Sequence, residues 1–169
     1  MSRYATWLVL AGLVLVVGAA NYTIRDRQQV VDTGQPILLE LRPVDPRSLM
    51  QGDYMTLRYA EPLFPNQKAR GTLSRRGAFI VKLDADNVAT YSRLDDGTPL
   101  AMNEVRLKYK LLDERGSIRL GAESFFFEEG QADAYYGARL GVLHVDASGN
   151  SVLVGLADEG KVLLQTKSQ

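Results

Sequence analysis

"EVRLKYKLL", residues 104–112, alternates apolar and charged side chains, and its reading decides the fold. Successive side chains of an extended chain point to opposite faces, so Val105, Leu107, Tyr109 and Leu111 share one face that must be covered. Arg106, Lys108 and Lys110 fall on the other face and meet water. A helix, with its period of 3.6, would scatter both sets around its circumference. "DERG", residues 113–116, is turn chemistry, and "SIRLGAESFFF" resumes beyond it with Ile118, Leu120 and Ala122 on one side. The pattern predicts a hairpin over residues 104–127.

Working outward, similar strand candidates occupy residues 36–42, 54–60, 77–84 and 87–94. "ARLGVLHVD" and "SVLVGLA" flank "ASGN", a second hairpin in which Gly149 is free to take positive φ. "KVLLQT", residues 161–166, offers a last strand. "EEGQADAYYGA", residues 128–138, lacks alternation and predicts one or two helical turns ending at Gly137. Many short strands with a single helical insert predict a mainly β fold over residues 30–169, an antiparallel barrel or sandwich.

Residues 1–27 read differently. "YATWLVLAGLVLVVGAANYTI", residues 4–24, carries no charge. As a helix it would extend about 31 Å, the hydrocarbon thickness of a lipid bilayer. Tyr4 and Trp7 lie near one end and Tyr22 near the other, where amphipathic rings favour the interface. Arg3 and the α-amino group precede the span, and Arg25 and Arg27 follow it, so charge bias barely sets its direction. A short N-terminal span before a sizeable domain usually exports that domain, which predicts a single-pass anchor with the C-terminal domain outside the cytoplasm. Gly18-Ala19-Ala20 also has the spacing of a signal-peptide cleavage site. The unbroken apolar run to Ile24 favours an uncleaved anchor over that reading.

Composition removes several chemistries. Lys+Arg and Asp+Glu balance at 20 each, so no global field would gather nucleic acid. The chain has no cysteine, hence no disulfide, thiolate metal site or thiol nucleophile. With His144 the one histidine, a multi-histidine metal site is excluded, and no cofactor is expected.

"RPVDPRSLMQGDYMTLRY" precedes and enters the strand at 54–60. Asp45 can accept backbone N–H bonds and Pro46 suits a first helical position, which predicts one tight turn. Gly52 would let the chain reverse, Asp53 would bind nearby amides, and Tyr54 would open the strand. Leu57 and Tyr59 share a face with Met55 and are expected in the core. The stretch therefore predicts a corner that fixes strand entry rather than a reaction centre.

"GDYMTLRY" fits GDYxxLxY throughout, at Gly52, Asp53, Tyr54, Leu57 and Tyr59. The chain resembles the bacterial membrane-anchored family named after that motif, as do "PVDPRSLMQ", "SFFFEEG" and "YYGARLGVLHVDASGNSVLVGL". The resemblance implies a bacterial inner-membrane protein with a periplasmic domain and no established activity. Members commonly stand beside, or are fused to, polytopic membrane proteins, which implies a partner of that kind.

Enzymatic readings find little support. Ser48 with Lys82 would form a Ser/Lys hydrolase only if Lys82 pointed inward, and alternation places Phe79, Val81 and Leu83 there instead. The acid pairs Asp95-Asp96 and Glu128-Glu129 suit solvated surface, "DADN" (84–87) lacks the carboxylates of a calcium loop, and His144 suits a packed or half-exposed structural place in a strand. Lys68, Arg70, Arg75 and Arg76 could touch an anionic surface or line a solvated loop. Phe125, Phe126 and Phe127 with Tyr135 and Tyr136 could form an apolar partner surface unless residues 128–138 cover them. The expected function is an accessory or interaction module; a Ser/Lys hydrolase and a small-ligand or glycan-binding β-domain stay open as alternatives.

Overall fold

In the computed structural model a single long helix leads into three small antiparallel sheets. The structure describes residues 3–42, 54–66, 70–71, 73–112 and 117–165. Helix α1 spans Arg3–Thr33. Its stretch Trp7–Thr33 is long and apolar enough to cross a membrane, and Leu8, Val14, Leu15 and Ile24 all stand exposed. Asn21 and Thr23 turn their side chains back onto the carbonyls of Val17 and Ala19, at 2.9 and 3.0 Å. A polar group in apolar surroundings is satisfied in this way within its own helix.

The helix runs straight into the β domain. Val30 is buried, and Gly34 N–H donates to the Val30 carbonyl at 3.0 Å. A Cβ on Gly34 would come within 2.4 Å of that same oxygen and 3.0 Å of the His144 Cβ, so the joint has no room for a side chain. His144 Nδ1 lies 2.6 Å from the Val31 carbonyl. A carbonyl only accepts, so the proton sits on Nδ1 and the ring caps an orphan oxygen of the last helical turn. The packed strand histidine expected from the sequence is thus also a clamp on the helix.

The first sheet has the order β1-β8-β9, formed by Gln35–Glu40, Leu140–Val145 and Ser151–Ala157. A second, β4-β3-β5-β6, comprises Ala89–Leu94, Arg76–Leu83, Glu104–Leu111 and Ile118–Arg119. A two-stranded ribbon joins β2 (Tyr54–Thr56) to β7 (Ser124–Phe126). Ile37 and Leu39 of β1 and Leu143 and Val145 of β8 meet Phe79, Val81, Leu107 and Tyr109 in one core cluster, the interior of a sandwich-like fold. Phe79 and Tyr109 stack at 5.8 Å. A smaller cluster of Met55, Leu57, Tyr135 and Leu156 lies under the ribbon. The architecture is mainly β and antiparallel, a sandwich rather than a closed barrel.

Residues 95–103 carry the chain from β4 to β5, which flank β3 on either side. On the outer face Ile80 is fully buried between its cross-strand neighbours Arg93 and Arg106. Arg93 pairs with Asp96 at 2.9 Å and Glu104 at 3.0 Å, and Arg106 with Asp95 at 2.7 Å. The alkyl stems flank Ile80 while the charged heads stay near water. Hydrogen bonds from Arg106 and Arg93 hold the carboxyls of Asp95 and Glu104 below their usual range, and Thr98 does the same for Asp96.

Turns follow local chemistry. Asp84 Oδ1 accepts from the amides of Asp86 and Val88, both at 2.9 Å, so "DADN" is an Asx-type turn. Asp146 likewise accepts from Ser148 and Asn150 amides, with Gly149 at φ +90°. Lys108 N–H donates to the Gly149 carbonyl at 2.9 Å, which docks the β8–β9 hairpin on β5.

Three expectations need correction. The hairpin at 104–127 holds only to Arg119: β6 pairs with β5 for two residues, after which β7 leaves to pair with β2. Leu120 and Ala122 are drawn into the main core as expected, but Gly121 at φ +82° bends the chain between them. The helical insert is a single 3₁₀ turn, Ala132–Tyr135, and a second such turn spans Glu61–Leu63, with Pro62 in its middle. Of the strand expected at 161–166, the described residues 161–165 contribute one bridge, Leu163 to Ala157.

Candidate functional site

The motif segment is a seam. Asp45, Pro46, Gly52 and Asp53 lie outside the described residues, as does Ser48. From Tyr54 the chain pairs first with β7, matching Tyr54 to Phe126 and Met55 to Phe125. Leu57 N–H then donates to Glu123 at 2.7 Å, and the chain changes partner. Tyr59 bridges to Leu41, with Arg42 N–H donating to Arg58 and Ala60 N–H to Glu40. The expected strand over 54–60 is therefore β2 followed by a second short pairing, because one straight strand cannot reach both neighbours.

Strand parity separates the motif's described residues, Tyr54 facing out and Leu57 and Tyr59 facing in. Leu57 and Tyr59 both point inward, as anticipated, but into different clusters: Leu57 joins Met55 and Tyr135, and Tyr59 joins Ile37 and Leu63. At 4 % exposure the Tyr59 hydroxyl donates to the Ala122 carbonyl, satisfying a polar group that burial would otherwise penalise. Burial, with the nearby Glu123 carboxylate adding to it, pushes the Tyr59 phenol far above its usual range, so the group stays neutral.

On the outward face, Tyr54 is 38 % exposed and packs with tilted rings against Phe126, which is 73 % exposed, at 5.7 Å. The five aromatics expected as a surface divide by strand parity. Phe125 and Phe127 turn inward onto buried Tyr135, with centroids at 4.9 and 5.6 Å. Phe126 and Tyr136 remain outside. The 3₁₀ turn covers the first set and leaves the second uncovered.

Beside the motif lies a groove of about 370 Å³ whose wall is built from Thr56–Tyr59, Ser117–Arg119 and Glu123. Four arginines face it: Arg42, Arg58, Arg70 and Arg119. Glu61 uses one oxygen for Arg42 and the other for Arg70, the latter at 2.5 Å. Arg70 is further fixed by its Nε–H bond to the Pro65 carbonyl at 2.8 Å and by lying 5.7 Å over the Phe64 ring. Glu123 accepts from the amides of Leu120 and Gly121. Arg58 and Arg119 have no ion pair among the described residues. The sequence signalled Arg58 only through its parity opposite Leu57; the meeting of Arg42 with Arg119 depends on strand register.

Lys82 is exposed on β3, as is Ser74 before it, and the two do not form a desolvated dyad. Among the described residues no group of three or more acidic or histidine side chains could hold a metal ion.

A mainly β domain behind an apolar helix, with the motif at the seam between two core clusters, defines the class. The chain belongs to the GDYXXLXY protein family, whose model matches residues 16–156. Neither the curated proteins nor the solved structures contain a match to it.

Proposed function

We propose that this protein is a membrane-anchored accessory module of a bacterial inner membrane, whose periplasmic β domain acts with a polytopic membrane protein. The observation that carries the reading is the continuity of α1 into the domain: the apolar stretch ends in a helical turn fixed by Val30, Gly34 and His144. A rigid joint of that kind sets the domain at a defined height and rotation above a bilayer, which a flexible linker would not do. In this reading residues 1–27 are the anchor, residues 4–24 lie in lipid, and residues 30–169 form the exported domain. Gly18-Ala19-Ala20 stays helical and uncut. The motif is architectural in this reading: Tyr54, Leu57 and Tyr59 secure β2 and the pairing that follows it. Phe126, Tyr54 and Tyr136 supply the apolar surface that meets the partner, backed by Phe125, Phe127 and Tyr135.

The test is site-specific photocrosslinking in native membranes from position 22, where Tyr22 is 75 % exposed on α1, and from position 126. Adducts with one polytopic membrane protein from both positions are expected. Adducts with lipid or with this chain alone would contradict the partnership.

A further inference from the structure

We propose that the arginine groove beside the motif is a binding site for a phosphate group in its dianionic form, inorganic phosphate or a phosphate monoester. Among the described residues the lining has four arginines against two glutamates, an excess of two positive charges. A phosphate monoester carries between one and a half and two negative charges near neutral pH and balances that excess; a single carboxylate would not. The guanidinium fork also matches phosphate oxygens in geometry, and a fork already bound to a carboxylate keeps donors for a second acceptor.

The four arginines fall into two functional pairs. Arg42 and Arg70 are held in place, both by Glu61 and Arg70 also by Pro65 and Phe64. They form a preset wall, fixed by the Glu61 carboxylate they share. Arg58 and Arg119 are exposed and without an acidic partner among the described residues, although they flank the same space. Their guanidinium donors, uncommitted to any described carboxylate and turned to one groove, are open to an oxyanion from outside the chain. A groove of about 370 Å³ accommodates a phosphate with a small substituent.

Position favours a soluble source over the protein's own bilayer. Arg42 and the groove lie at the end of β1 remote from α1, after the chain has advanced about 20 Å along the strand. A phosphate monoester lipid supplies the same chemistry, and the experiment separates the two.

The full-length chain in phosphatidylcholine nanodiscs would be titrated with inorganic phosphate against matched sodium chloride. Calorimetry and amide hydrogen exchange at Thr56–Tyr59 and Ser117–Glu123 report binding. Saturable binding with protection of both segments is expected, weakened at least about tenfold in R58Q/R119Q and unchanged in K82Q, which removes an exposed charge away from the groove. Both groove substitutions are at exposed positions, and a thermal melt confirms the fold. A second arm replaces part of the lipid with phosphatidic acid and omits free phosphate. Protection there as well would assign the headgroup as a source, and protection confined to the first arm assigns a soluble one. Absence of saturable binding in both arms, or binding retained in R58Q/R119Q, would overturn the proposal. The outcome is independent of whether a polytopic partner exists.

Discussion

Tyr59 carries a hydroxyl into the main core and places it on the Ala122 carbonyl, tying the motif to the bend between β6 and β7. Replacing it with phenylalanine removes the bond and leaves that carbonyl without its partner. Tyr59→Phe is expected to cost about 1 kcal/mol, seen as a melting temperature lowered by a few degrees. The phenol also couples stability to alkaline pH. Its folded pKa is raised, so its contribution is complete below the unfolded value near 10 and is lost as pH rises beyond that, when only the unfolded chain releases the proton. Burial raises Tyr109 and Tyr91 as well, so ultraviolet titration should show a class of late-ionising tyrosines that is smaller by one in Tyr59→Phe. An early, reversible ionisation of all eight tyrosines would contradict this burial.

Elements show which inferences from sequence could succeed. Alternation in residues 104–111 and 140–145 was legible because one face of each strand is buried against the opposite sheet, and a slip of one residue would expose it. The end of the 104–127 hairpin was not legible: Gly121 redirects the chain, and the partner of "SFFF" is a motif strand far away in sequence. Likewise Leu57 and Tyr59 were readable as core, but nothing local says that they serve two clusters. The groove was the least readable feature, since its arginines come together only through register. Parity in the β2–β7 ribbon yields a paired test. Met55→Ala deletes a buried side chain and should cost about 2–5 kcal/mol, whereas exposed Phe126→Ala should change stability by less than about 0.5 kcal/mol. Denaturant unfolding of the two variants checks the ordering, and equal losses would place the ribbon differently. At the helix joint, a side chain at position 34 meets backbone that cannot yield. Gly34→Val should destabilise the domain by about 2 kcal/mol and speed amide exchange in β8 next to His144. Unchanged exchange there would mean the helix end is not packed as described.

At the scale of the whole molecule, two small core clusters, a seam and a stiff joint make one unit standing on a single apolar helix. The anchored arrangement makes sense of features that burial does not explain: Trp7, Leu8, Val9 and Leu10 exposed around the full circumference of α1, and polar Asn21 and Thr23 folded back on its backbone. The absence of cysteine in the chain allows a direct test of topology. Met102 is fully exposed on the loop between β4 and β5, so Met102→Cys introduces one accessible thiol without disturbing the core. Intact spheroplasts would be treated with a membrane-impermeant maleimide and the membranes then washed with alkaline carbonate. An anchored, exported domain is labelled before lysis, on a full-length chain that stays with the membranes. Labelling only after lysis, or a labelled chain shortened at its N-terminus and released by the wash, would contradict it.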